Sequence, residues 1–539
     1  MSNAKPNPLF RWMPSLADVA FLMPLLFLFT RLEGVRTLLG DGDTGWHIRT
    51  GEWILAHRQV PYADIFSFTK PGEPWFAWEW LWDVMFAWLH DRWGLAAVVL
   101  ASMLVLCATS ALLYRLVNRK CGNPVLAIGL TVLAMAGGTL HWLARPHLFT
   151  MLFVVVFLTV IELAKQGRGK QLLWLPVLTI LWTNLHGGFL AGIVILGAYG
   201  AGELARALVV LDSTERGSAV RAAVRYLATA AGCAAASLVN PYFYHLHVHI
   251  WSYLRDADLT RGIVEFQAAN FQNAASGFLE TMLILAVGAA IWYGLRKQFS
   301  EVFLLAVWAH LALLVARHIP LFMLIAAPAV SVAMAAWLRA LRAAPVSAWI
   351  GNVAASIEAI GLEIAPLERI GRAHAICAAA FVMVWLGVTS PSAGSMLKPE
   401  YDTKVYPESA LAFVNDPAQR VFTHDEWGDY LIYRLAPLGG KVYVDGRSDF
   451  YGGKFTREYG DLLNVKYDWE RTLARYGVDT ILLPPDSPLA STVKESSHWQ
   501  VVYDDGSAIV FRLAGTPTAG HQVSRGEQNF NATGGVDPL

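Results

Sequence analysis

The feature that most constrains this chain is a series of long apolar runs separated by polar connections. A run of about 20 apolar residues crosses the hydrocarbon core of a bilayer as a helix, because only a helix pairs its own backbone where there is no water. About eleven such runs can be traced, at 16–39, 94–117, 123–142, 148–164, 171–185, 187–209, 222–240, 278–295, 299–316, 319–338 and 373–390. Composition agrees. Of 539 residues 55% are hydrophobic and 16% are charged, against about 25% charged in an average soluble protein. That apolar content excludes a disordered chain. Lysine plus arginine and aspartate plus glutamate each total 42. There is no basic excess to neutralise phosphates, so no nucleic-acid partner is expected. Cys107, Cys121, Cys233 and Cys377 lie in or beside apolar runs, without the spacing of a disulfide framework or zinc site. The first run has no small-residue cleavage site, so it reads as a retained anchor.

Alternate connections are rich in basic residues. Lys5 and Arg11, Arg115 to Lys120, Lys165 to Lys170, Arg216 to Arg225, Arg296 and Lys297, and Arg339 to Arg372 form one set. The other set holds Arg145 and Arg317 and little else. The positive-inside rule puts the first set in the cytoplasm, with the N-terminus inside and the segment after the last run outside. Nearly all the histidines then fall on the outer side, as do most of the acids. Titratable groups gathered at one membrane face mark chemistry or ligand binding, although histidine also sits comfortably at an interface.

The first outer loop, 40–93, opens with Asp41-Gly42-Asp43-Thr44-Gly45-Trp46-His47 directly after the first run. Two carboxylates flanking a glycine can share a divalent cation such as Mg2+ or Mn2+, because hard cations take oxygen ligands. One of them can instead serve as general base toward an acceptor hydroxyl. The bland alternative is an Asx-turn that stops the helix. Further on, Trp75 to Trp93 is dense in tryptophan and fits a helix lying in the membrane interface. Trp78, Trp82, Met85 and Leu89 recur at helical spacing as one apolar face. Glu79 and Asp83 lie one turn apart on another. Glu79 stands out, since an acid in so apolar a helix needs a partner.

At this loop the sequence resembles the GT-C glycosyltransferases, multi-spanning enzymes that take sugars from polyprenyl-linked donors at the outer membrane face. The stretch Asp41 to Arg49 is similar to the aspartate-rich segment in catalytic subunits of archaeal and bacterial oligosaccharyltransferases. The resemblance implies that aspartate of this loop helps bind a divalent metal and the acceptor. In the related O-mannosyl and aminoarabinose transferases an aspartate here is the proposed base. Glu79 corresponds to the acidic residue on the interfacial helix.

Other outer positions extend the set. Arg145-Pro146-His147 joins the third and fourth runs. Asn184-Leu185-His186-Gly187-Gly188 ends the fifth, where the glycines permit either close ligand approach or a tight turn. His245, His247 and His249 share a face only on a strand, and no carboxylate completes a zinc set there. Arg317-His318 lies at the junction before the tenth run. An arginine at the bilayer edge needs a partner, and phosphate is a good one; snorkelling to lipid headgroups is the alternative. The resemblance implies the former, with Arg317 holding the donor phosphate and His318 and Arg145 assisting.

From about residue 400 the composition turns soluble. Arg420–Thr423, Lys441–Val444, Val478–Leu483, Trp499–Tyr503 and Ala508–Leu513 read as strands, with helices at Pro407–Val414 and Asp468–Tyr476 and a hairpin turn at Asp504-Asp505-Gly506. His424 to Tyr430 and Asp445 to Asp449 follow strands, where α/β domains place ligands. The first of these is faintly similar to the tryptophan-tryptophan-aspartate-tyrosine-glycine motif by which oligosaccharyltransferases read an acceptor sequon, but Glu426 replaces a tryptophan and Gly428 intrudes before Asp429. A capped helix plus a tight turn explains both stretches equally well.

The expected fold is therefore an α-helical polytopic membrane protein, GT-C-like, with a small extracytoplasmic α/β domain. The expected domains are 1–391, 392–514 and a disordered tail 515–539. The expected function is transfer of a sugar from a polyprenyl-(pyro)phosphate to an acceptor glycan, lipid or protein, in a plasma membrane of bacterial type. Asp43, Asp41, Glu79 and His47 are the catalytic candidates, with a metal on Asp41 and Asp43. Arg317, His318 and Arg145 are candidates for the phosphate, and His147, His186, Asn184, Asp429 and Arg447 for the substrate. A transporter or flippase, or a non-catalytic partner in envelope-polysaccharide assembly, is the competing class.

Overall fold

A computed structural model describes residues 11–273, 276–343 and 347–515. The expected tail falls outside them from residue 516. A helical body precedes a small mixed domain. Six described helices are long and apolar enough to cross a membrane: Trp80–Cys121, His147–Lys165, Gly187–Val209, Ser276–Leu295, Ala316–Ala343 and Ala348–Glu368. Five coincide with expected runs. The remaining expected runs form shorter or less apolar helices, including Leu16–Arg31, Pro124–Gly137, Trp174–Leu185, Ser213–Ala236, Phe299–Leu314 and Ala375–Val388. The first run does not continue to residue 39. Its helix stops at Arg31, and a separate turn, Val35–Leu38, leads into the first loop.

The boundary between interfacial helix and second crossing is set by one residue. Trp80–Cys121 is continuous except at Gly94, whose φ of 64° and ψ of −163° break the helix. That conformation is open to glycine and strained for residues with a Cβ. The buried face of the interfacial part is not the one expected. Trp82, Asp83, Phe86 and Ala87 point inward and Met85 is exposed. Trp82 stacks on Phe86 with centroids 4.0 Å apart. The period was right, but the phase was rotated by one position because the acid belongs to the inner face.

Ala348–Glu368 was not foreseen, and its contacts all lie at one end of the body. Glu358 pairs with Arg342 at 3.1 Å. The Ile357 carbonyl accepts from Asn123, and Glu368 accepts from the Leu16 N–H and the Tyr114 hydroxyl. Arg342, Asn123, Leu16 and Tyr114 are residues at helix ends on the pole opposite Asp41. A helix pinned to one pole along its length lies across that pole rather than through the body. Its free side carries exposed Trp349, Val353 and Ile360, an apolar face for lipid.

The mixed domain holds a four-stranded sheet in the order β1-β2-β4-β3, where β1 is Val421–Phe422, β2 Thr480–Leu483, β3 Trp499–Asp504 and β4 Ile509–Leu513. β1 and β2 are parallel; the other pairs are antiparallel. The β3–β4 hairpin turns at Gly506, φ 83°. The expected strand at 441–444 does not join this sheet. Val442 instead exchanges hydrogen bonds with the first loop, its N–H donating to Phe66 and its carbonyl accepting from Phe68, both at 3.0 Å. Pro407–Val414 forms a 3-10 turn, Ser409–Phe413, instead of an amphipathic helix.

The first loop and the mixed domain are thus one packed unit. Arg447 forms its centre. Its guanidinium takes Asp445 bidentately, with both contacts at 2.7 Å, and Asp64 at 2.8 Å. The rings of Phe66, Trp75 and Phe450 surround it. Two helices, Asp43–His57 and Asp425–Leu435, meet through glycine. A Cβ on Gly42 would lie 2.6 Å from the Glu426 carbonyl and 2.8 Å from the Asp429 Cβ, and one on Gly45 2.7 Å from the Tyr433 Cβ. The glycines of the first motif therefore set how closely the last domain approaches it.

Candidate active site

The Asp43–His57 helix begins with Asp41 accepting the Asp43 N–H at 2.8 Å. The Asx-turn is real, yet it uses only Oδ1. Oδ2 of Asp41 accepts from Arg145 Nη1 at 2.7 Å, and Arg145 Nη2 pairs with Asp43 Oδ2. Trp46 Nε1 donates to Asp43 Oδ1 at 3.1 Å, one turn along the same helix. Arg145 Nη1 also lies 3.4 Å from Glu265, whose other oxygen is 3.6 Å from Arg317 Nε. Two arginines from distant connections thus meet around Glu265, a residue with no sequence signal of its own.

Asp429 comes to the same place from the mixed domain. Its Oδ1 accepts the Gly446 N–H at 2.7 Å, and a side chain on Gly446 would collide with both Asp43 Oδ1 and Asp429 Oδ2. Gly428, the residue that interrupts the acceptor-motif similarity, is required locally, since a Cβ there would run into the Val444 carbonyl. Burial raises Asp43 to about 6 against the pull of Arg145, and burial together with the Asp43 charge raises Asp429. Two buried carboxylates this close cannot both ionise freely. Burial also pushes Glu265 upward, but Arg145 and Arg317 outweigh it and hold the carboxyl down at about 2.

One turn beyond Asp43, His47 enters a second line of groups. Its Nδ1 is 2.6 Å from Asp83 and its Nε2 3.4 Å from Glu79. Glu79 is 3.4 Å from His186 Nε2. His186 Nδ1 accepts the Gly188 N–H at 3.0 Å and faces the Thr150 hydroxyl at 2.8 Å; that hydroxyl accepts from Trp182 Nε1. With Nδ1 the acceptor, the ring proton of His186 sits on Nε2 and points at Glu79. Burial raises Glu79 to about 8, against Arg317 and Arg145. Burial likewise lowers His47 and His186. The line is therefore neutral imidazoles around an acid that keeps its proton at neutral pH.

Not every expected residue joins. Asn184 has its polar atoms committed to Trp80, Ile180 and Val239. His147 bonds the His141 carbonyl at 2.7 Å, and Arg447 is the buried strut described above. His318 stays beside Arg317, edge-on to Trp308. His245, His247 and His249 lie on a helix, His245–Arg255, so they diverge; His249 pairs with Asp449 at 2.8 Å. Sequence reasoning missed Glu265, Thr150 and the partnership of Asp83 with His47. As arranged, Asp41 and Asp43 do not fit Mg2+ or Mn2+, because Arg145 takes an oxygen of each. Among the described residues no three His, Cys, Asp or Glu side chains form a metal-holding group.

Comparison with solved structures places the architecture. The apo oligosaccharyltransferase of Archaeoglobus fulgidus superposes with a TM-score of 0.52 over 87% of this chain and 68% of that one, at 12% identity. The fold is that of an oligosaccharyltransferase. The same enzyme, AglB, in complex with an inhibitory peptide and a dolichol-phosphate gives a TM-score of 0.52 over 93% of this chain and 73% of that one, at 11% identity. Its form tethered to an acceptor peptide containing the NVT sequon gives the same score and coverage at 12% identity. The likeness of fold thus takes in both the helical body and the mixed domain. No family model and no curated protein sequence matches the chain.

Proposed function

We propose that the chain is a membrane glycosyltransferase that moves a sugar or oligosaccharide from a polyprenyl phosphate or pyrophosphate to an acceptor glycan, lipid or protein. The acceptor would be at the outer face of a bacterial-type plasma membrane, with the N-terminus cytoplasmic. The observation that carries this reading is the Asp43–Arg145 pair, joined to Arg317 through Glu265, at the pole poor in basic connections. Solved structures of the same fold with a dolichol-phosphate and an acceptor peptide support it.

In this reading Asp43 accepts the proton of the acceptor group. The freed electron pair forms the bond to the anomeric carbon, and the carbon–oxygen bond to phosphate breaks toward the phosphate. Arg317 holds the departing charge, since a preorganised donor stabilises it most when water is excluded. Among the described residues Arg317 has one ion-pair contact, a long one to Glu265, so it is the more available arginine. Asp429 and the Gly446 loop close over Asp43, and the Glu79 line keeps a proton beside it. The test is transfer from lipid-linked donors in proteoliposomes. Full activity of Asp43→Asn at normal expression refutes the base; donor binding without turnover in the native chain points to an assembly partner instead.

A further inference from the structure

Within this proposed site we infer that Arg145 is a built-in cation, doing for Asp41 and Asp43 what a divalent ion does for a carboxylate pair, so that the site needs no bound metal. The guanidinium reaches Asp41 at 2.7 Å, Asp43 on its other arm, and Glu265 at 3.4 Å. A planar fork suits this: two N–H groups diverge toward two carboxylates, with a charge that does not titrate.

The arginine is placed by the backbone as well as by the acids. The Ala144 N–H donates to the Leu38 carbonyl at 2.7 Å, and the Ala144 carbonyl accepts the Thr44 hydroxyl at 3.0 Å. Thr44 follows Asp43 directly, and Leu38 lies three residues before Asp41. The turn that carries Arg145 is therefore stitched to both flanks of the acidic motif. A metal entering between the carboxylates would have to displace a buried cation whose backbone is fixed there. Most oxygens around it are already engaged, and Asp429 spends Oδ1 on the Gly446 N–H. Trp46 donates to Asp43, and the free end of Glu265 is turned to Arg317.

The test uses the purified full-length chain in detergent and does not depend on finding the donor. Titrated with Mn2+ and followed by the spin-resonance signal of free ion, the native protein is expected to show no saturable uptake up to about 1 mM, the weak end of carboxylate sites. Uptake of one ion per chain that Asp41→Asn abolishes overturns the inference. Thermal unfolding gives the second arm. Arg145→Ala is expected to lower Tm, and adding Asp41→Asn to it is expected to recover at least half of that loss, because the removed cation no longer leaves facing acids. An equal loss in both backgrounds overturns the inference, and Arg145→Lys, which keeps the charge, controls for misfolding. Failure of all transfer assays would count against the proposed function and leave the metal result standing.

Discussion

Two charge networks occupy opposite poles of the same helical body, and they are built differently. At the pole of Lys120, cations and anions match one to one. Lys120 lies 3.3 Å from Glu162, and Lys165 lies 2.5 Å from Glu301 while its ammonium sits over Tyr199. At the pole of Asp41, the acids Asp41, Asp43, Glu79, Asp83, Glu265 and Asp429 face, among the described residues, only Arg145 and Arg317 as cations that never lose charge. A matched pair in a low dielectric is a strut, costly to break and of little chemical use. A surplus of buried acid cannot be fully ionised, so some carboxyls keep protons near neutrality and become able to exchange them.

The largest effect should come from the surplus pole. Asp43→Asn is expected to lower kcat/KM for transfer by about 1,000-fold, with Tm shifted by a few degrees at most. A variant that keeps more than a tenth of the activity breaks the distinction between the poles. Arg317→Ala should cost about 100-fold. Glu265→Gln should act in the opposite sense on donor KM, lowering it several-fold, because the acid competes with phosphate for Arg317; a raised KM would make Glu265 a substrate contact instead. At the matched pole, Lys120→Met should destabilise by about 3 kcal/mol while leaving kcat per folded molecule unchanged. Adding Glu162→Gln should return most of that stability in chemical denaturation.

The smallest effect is one of pH. Asp43, near 6, must lose its proton to act, so activity should rise through about pH 6. Glu79, near 8, should cause a fall above about pH 8 if its proton is needed. Both folded values lie above the unfolded ones, so ionising either group costs stability. For Glu79 that loss begins near its unfolded value of 4.5 and is complete above about 8. Glu79→Gln should remove the alkaline limb and flatten Tm between those limits. An unchanged profile would leave the histidine line a purely structural one.

The fold was largely legible because hydropathy and period carry it. The long helices followed the apolar runs, and Gly94 separates the interfacial helix from the second crossing. Ala348–Glu368 was not legible, because Glu358, Glu363 and Glu368 are spread round it and dilute its apolar residues. Asp43, Asp41, Glu79, His47, Arg145 and Arg317 stood out as scarce polar groups on the outer side, and the structure brings them into one neighbourhood. Glu265 did not, since it lies in a loop without periodicity and gains meaning only from two arginines far away in sequence. Arg447 was misjudged for the converse reason. Its flanking Asp445 and Gly446 look like a ligand loop, but the partner that defines it, Asp64, is supplied by the first loop. Convergence across hundreds of residues leaves no spacing to read.

Gly42, Gly45 and Gly446 let the last domain press against the first loop until Asp429 touches the neighbourhood of Asp43. Asp43 is therefore enclosed by residues synthesised long after it. A nascent chain threads all its crossings into the bilayer with Asp43 and Arg145 already placed, yet with their lid still on the ribosome. The acidic notch around Asp43 then stays open until Asp429 and Gly446 emerge and seat against it.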